Sequence, residues 1–177
     1  AVAQDAPAPA DAASPEQQAA AFLASLKPQT GAISLPGNLA ALTLPESFRY
    51  LTPADSKRVI EEAWGNPPGA GDGTLGMIIP AAVNPVTADG WGVIITYNAD
   101  AHIADDDAAS IDYGDVLKDM QEATASENED RQKAGYHAIT LVGWAEPPHY
   151  EAATHKIYWA KDLVFGENPD HTLNYYI

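Results

Sequence analysis

The 177-residue chain contains no cysteine. That excludes a thiol nucleophile, a disulfide framework and any zinc or iron–sulfur site held by thiolates. Basic residues are scarce as well: nine Lys and Arg stand against 25 Asp and Glu, for a formal net charge of -16. A field of that sign repels phosphate backbones and anionic headgroups, so no nucleic-acid partner is expected; cations, basic peptides and neutral sugars remain. No run of about 18 apolar residues occurs, so no segment reads as a transmembrane helix.

What is present suits a folded domain. The hydrophobic fraction of 46% and mean hydropathy of -0.22 are ordinary for a globular chain, and the length fits one domain. Residues 1–13 are almost all Ala, Pro, Asp and Gln and read as a flexible arm, leaving residues 14–177 as a single domain. Ala1-Val2-Ala3 has the small-x-small form of a signal-peptidase site, a form that Ala-rich linkers share.

The order of elements can be read from capping and breaking residues. Ser14-Pro15-Glu16-Gln17 offers an N-cap, a proline at the first helical position and a capping-box Gln, so a helix is predicted from 15 to about 26, stopped by Pro28. Two short runs, 31–36 and 39–44, flank Gly37-Asn38 as a hairpin. Thr52-Pro53 opens a second helix to about Trp64. Strands are expected at 75–79 and 91–97, with Pro80, Pro85 and Gly90 lengthening the link between them.

The acidic run Asp105-Asp106-Asp107 leads to the longest helix, about 113–133. Its apolar stripe of Val116, Leu117 and Met120 covers the first half only, so the second half is expected to face solvent or fray. Strands follow at 136–145, 154–165 and 172–177. Hairpins interspersed with helices favour antiparallel pairing. The fold class is therefore α+β, mainly an antiparallel sheet with helices on one face.

Chemistry-bearing motifs are few. Five histidines occur, none at helical ligand spacing. His149 and His155 with Glu151 make a possible zinc set across one Pro-rich loop, but such loops carry His by chance. Asp105 to Asp107 lack the alternation and central Gly of a calcium loop, and a solvated run capping the next helix is the simpler reading. No GxSxG elbow occurs. The glycines at 69, 71 and 73 follow a helix and lack the Lys-Ser/Thr of a phosphate loop. No metal or cofactor is expected. Trp64, Trp91, Trp144 and Trp159 adjoin turns or strand ends, where core packing is commoner than a sugar-stacking platform. Trp64-Gly65-Asn66-Pro67-Pro68 is echoed by Trp144-Ala145-Glu146-Pro147-Pro148, which reads as two Pro-stiffened loops rather than a duplication.

Several motifs in order carry a resemblance: Phe48-Arg49-Tyr50-Leu51, Trp64-Gly65-Asn66-Pro67-Pro68, Gly143-Trp144-Ala145-Glu146-Pro147-Pro148, Thr154-His155-Lys156, Trp159-Ala160-Lys161 and Leu173-Asn174-Tyr175. Together they resemble a bacterial family of predicted membrane-anchored proteins, domain of unknown function 2167, over about 31–175. The resemblance implies export, with a signal peptide, a periplasmic or cell-surface domain and a C-terminal membrane helix beyond Ile177. It transfers no activity and no catalytic residue. Its motif residues Trp64, Asn66, Trp144, His155, Lys156, Trp159 and Lys161 are binding candidates by chemistry alone. The leading expectation is an extracytoplasmic, non-enzymatic module that binds a protein partner or self-assembles through an open strand edge at 173–177. The alternatives are an envelope-polymer hydrolase using His155 with Glu146 or Glu151, or a sugar-binding domain.

Overall fold

A computed structural model describes residues 14–87, 89–99 and 110–177. The arm at 1–13, His102 and the Asp105–Asp107 run lie outside the described residues. The chain clusters into two compact units, Ala1–Ala99 and Asp100–Ile177.

In unit one, helix α1 (Pro15–Ser25) starts with the expected reciprocal box. Ser14 Oγ accepts from the Gln17 N–H at 3.3 Å, and Gln17 Oε1 accepts from the Ser14 N–H at 2.9 Å. Strands β1 (Gly31–Ser34) and β2 (Ala41–Leu44) pair antiparallel around a 3-10 turn at Pro36–Asn38. Positive φ at Gly37 (71°) and Asn38 (54°) explains the Gly-Asn pair there.

Strand β3 (Phe48–Leu51) was not expected; it is four residues long and contains Arg49. Thr52 then caps α2 (Pro53–Arg58), its Oγ1 accepting from the Asp55 N–H at 3.3 Å. The helix widens into a π-turn at Val59–Ala63. Strands β4 (Thr74–Pro80) and β5 (Val93–Thr96) complete an antiparallel sheet of order β3-β4-β5.

Alternation along that sheet builds two apolar layers. On one face Leu51, Met77 and Ile79 meet Leu26, Val59 and Ile60, with Phe22, Leu23 and Trp64 around them. Leu51, Val59 and Met77 are fully buried, worth about 1.5–3 kcal/mol each against exposure. The other face carries Tyr50 with Ile33 and Leu35, flanked by Leu42, Leu44 and Ile95. The Tyr50 ring lies on Gly76 so closely that a Cβ there would sit 2.2 Å from Cε2. Its hydroxyl donates to Leu75 O at 2.6 Å.

The glycine-rich loop has a structural job. Glu61 Oε1 accepts from the N–H groups of Gly69 (2.8 Å) and Gly71 (3.1 Å). Lys57 bonds Asp72, and that bond raises its ammonium above the ordinary lysine range.

In unit two, α3 (Tyr113–Lys133) is capped by Asp112 and is followed by strands β6 (Ile139–Glu151), β7 (Lys156–Phe165) and β8 (His171–Tyr176). The sheet is antiparallel with order β6-β7-β8. The fold is α+β, and among the described residues all strand pairing is antiparallel and falls into three small sheets.

Two expectations need correction here. The second half of α3 neither frays nor turns away from protein. Its inward positions continue as Thr124, Asn128 and Arg131, and the last two bond backbone at Ile139 and His137. The stripe becomes hydrogen-bonding where an apolar count stops. Likewise Trp144 to Pro148 is strand, not loop, and His149 stands on it. β6 is an edge strand whose register shifts between Trp144/Glu146 and Glu146/His149, and bulges at an edge accommodate prolines that cannot donate.

Candidate functional site

The two edges of the β6-β7-β8 sheet are treated differently. β6 is flanked by α3, whose side chains bond its backbone at residues 139, 141 and 142. Asn128 donates to Ile139 O and accepts from Ile139 N, and Gln121 Nε2 donates to Leu141 O at 3.1 Å and Val142 O at 3.2 Å. Among the described residues β8 bonds β7 on one side only. Leu173, Tyr175 and Ile177 along it are 49%, 68% and 82% exposed. Neither Lys nor Pro occurs from His171 to Ile177, although both are usual guards of a strand edge.

β8 is held to β7 from both faces. Register sets Trp159 opposite Tyr176 and Lys161 opposite Asn174. On that face the Trp159 and Tyr176 rings stack, 4.8 Å apart and 3° from parallel. Lys161 Nζ lies 4.8 Å from the Tyr176 centroid, a cation–π contact. On the opposite face His171 Nδ1 lies 2.6 Å from Asp162 Oδ1. These contacts keep the strand extended while its outer edge stays open.

Beyond the last β7–β8 pair, β6 and β7 continue as a two-stranded ribbon. There His149 stacks on Tyr158 at 5.2 Å. His149, Tyr150, Glu151 and Tyr158 line a shallow hollow of about 470 Å³. Glu151 accepts from Thr154 Oγ1 at 2.5 Å and from Tyr158 OH at 3.4 Å. At the turn, His155 has a positive φ of 52° and its Nδ1 lies 3.1 Å from Tyr150 OH.

The seven residues expected to bind fall in both units. In unit one, Trp64 Nε1 donates to Pro85 O at 2.7 Å and Asn66 Nδ2 donates to Ile60 O at 3.0 Å. Both tie down loops. In unit two, Trp144 Nε1 donates to Tyr113 O at 3.1 Å and anchors the start of α3. Trp159 and Lys161 meet on one sheet face beside β8. Lys156 opens β7 opposite Glu151, next to His155 on the ribbon turn.

The acids weighed as partners of His155 have other neighbours: Glu146 lies 4.0 Å from His149 Nδ1, and Glu151 serves Thr154 and Tyr158. Among the described residues no three of His, Asp and Glu gather as a metal set. Trp91, the remaining indole, sits edge-on to Phe48 at 6.3 Å.

Tyr176, Asp162 and His171 were missed. A signal existed in the doublets Tyr158-Trp159 and Tyr175-Tyr176, since neighbouring strand residues send one ring to each face. Pairing the two doublets required the β7–β8 register.

The family model described as Protein of unknown function (DUF2167) matches residues 27–177. That span covers all eight strands of the described residues. No curated protein and no solved structure matches the chain.

Proposed function

The chain belongs to the family Protein of unknown function (DUF2167), and from that premise we propose that it is a non-enzymatic envelope module that engages a protein by strand addition along β8. The observation that carries this reading is the contrast between the two edges of one sheet. The first residues of β6 have backbone groups met by Asn128 and Gln121, while β8 presents an apolar edge with no partner strand among the described residues. An added strand gains backbone hydrogen bonds of about 0.5–1.5 kcal/mol net each, together with apolar contact on Leu173 and Tyr175.

The envelope placement rests on the resemblance to exported proteins. No described helix is long and apolar enough to cross a membrane.

The test compares the intact protein with a Leu173→Lys/Tyr175→Lys variant, both positions being exposed. Light scattering reports self-association, and crosslinked capture from envelope extract reports a different partner. The double variant is expected to lose the bound species while keeping its melting temperature within a few degrees. Identical assembly and capture by both proteins sinks the reading. Fractionation of the full-length protein with the cytoplasm overturns the envelope placement.

A further inference from the structure

Five Lys and Arg side chains are half-buried among the described residues, and four of them meet an oxygen. Lys57 pairs with Asp72 and Glu61, and Arg58 with Glu62. Arg49 donates to the carbonyls of Glu46 and Phe48, and Arg131 to that of His137. Lys161 is the exception. Its ammonium lies 4.8 Å from the Tyr176 ring centroid and, among the described residues, has neither an ion pair nor a hydrogen bond. Partial burial of an ammonium is costly unless an anion or acceptor meets it, and a ring face offsets only part of that cost. In a chain with 25 Asp and Glu, a half-buried lysine that none of them reaches is a cation held for something else.

Its surroundings select the ligand. Register sets Lys161, on the central strand, between Trp144 on β6 and Asn174 on β8, and residues directly opposite share a face. Trp159 lies two positions along the same strand, on that face too. Asn174 is exposed, and its amide makes no hydrogen bond among the described residues. Asp162, the nearest acid in the chain, is on the opposite face with His171. One ammonium and one neutral amide match a singly charged carboxylate, whereas a doubly charged phosphate would leave excess negative charge in a chain of net charge -16. The neighbouring rings favour a carboxylate carried on a ring of its own. We propose that Lys161 and Asn174 hold the carboxylate of a small ring-bearing acid, a sugar acid or an aromatic acid, beside Trp159 and Tyr176. This site is on the face of the sheet, not on the β8 edge, and stands independently of strand addition there.

The test is an NMR titration of the intact protein with glucuronate, with phenylacetate, and with their uncharged counterparts glucose and phenylacetamide. At least one acid should saturably shift the amides of Lys161 and Asn174 and the Trp159 indole N–H, while its uncharged counterpart should not. Saturation by glucuronate assigns a sugar acid, and saturation by phenylacetate an aromatic acid. Lys161→Met keeps the side-chain length and should weaken binding at least about tenfold, through loss of a charge-assisted hydrogen bond. Asn174→Ala, at an exposed position, should weaken it about threefold, as loss of a neutral bond does. It serves as the second variant in case the first misfolds, and circular dichroism checks both. No saturable shift with either acid, equal binding of the uncharged counterparts, or undiminished binding by whichever variants fold overturns the inference. So does inorganic phosphate that shifts the same signals at lower concentration than either acid.

Discussion

Asn128 completes Ile139 as a neighbouring strand would: its Nδ2 donates to Ile139 O at 2.9 Å and its Oδ1 accepts from Ile139 N at 2.7 Å. One amide side chain thus replaces a ladder pair at the β6 edge. Asn128→Ala leaves both backbone groups partly buried and unmatched, at a cost of about 1–3 kcal/mol. Urea unfolding should show the loss, and amide exchange at Ile139 should accelerate. Unchanged exchange at that amide would mean water substitutes fully for the side chain.

Gly76 is the second sensitive position. Its φ of 140° disfavours any side chain, and a Cβ would run into the Tyr50 ring. Gly76→Ala is expected to destabilise unit one by at least about 2 kcal/mol, from overpacking and backbone strain together. Gly143, with open space at its Cβ, provides the contrast. Equal melting of Gly76→Ala and Gly143→Ala would contradict the packing seen here.

Burial raises the Tyr50 phenol above its ordinary 10.0. A folded-state value above the unfolded one means that the unfolded chain ionises first. The stability that Tyr50 contributes is therefore full below about pH 10 and is lost as pH rises through the folded value. Absorbance titration of the phenols should show one late step that Tyr50→Phe removes. The variant should also flatten the alkaline fall in stability; a persistent late step would assign it elsewhere.

The His171–Asp162 contact is half exposed, so its worth is modest, under about 1 kcal/mol. Asp162→Ala should leave the global melt nearly unchanged while speeding amide exchange across 171–176 and sparing the β6–β7 ladder. Uniform acceleration through the whole sheet would instead make Asp162 part of its core.

Local elements were legible where a backbone rule is written in one or two residues. The Ser14 box, Thr52-Pro53 and Gly37-Asn38 each place an element end. The longest helix could be read to its bounds, yet the role of its second half could not, because Asn128 and Arg131 look like solvated residues until β6 lies beside them. Proline misled at Pro147 and Pro148, since its exclusion from strands lapses at a bulged edge.

Of the candidate site residues, chemistry singled out Trp159 and Lys161, but their partner Tyr176 depended on a register that no local pattern encodes. Trp64 and Asn66 look like binding residues in the sequence because indole and amide groups serve recognition and loop closure equally well. Only the carbonyls of Pro85 and Ile60 decide between them.

The π-turn at Val59–Ala63 fixes the angular phase of everything after it. Trp64 N bonds Val59 O at 2.9 Å, five residues back, so the segment holds one residue more than an α-helix would need. Excising a single residue there would restore ordinary winding and keep the helix intact. It would also swing the Trp64 indole about 100° around the axis, away from Pro85 O. The link to the 81–90 segment therefore tolerates substitution on the exposed side of this turn far better than any change in its length.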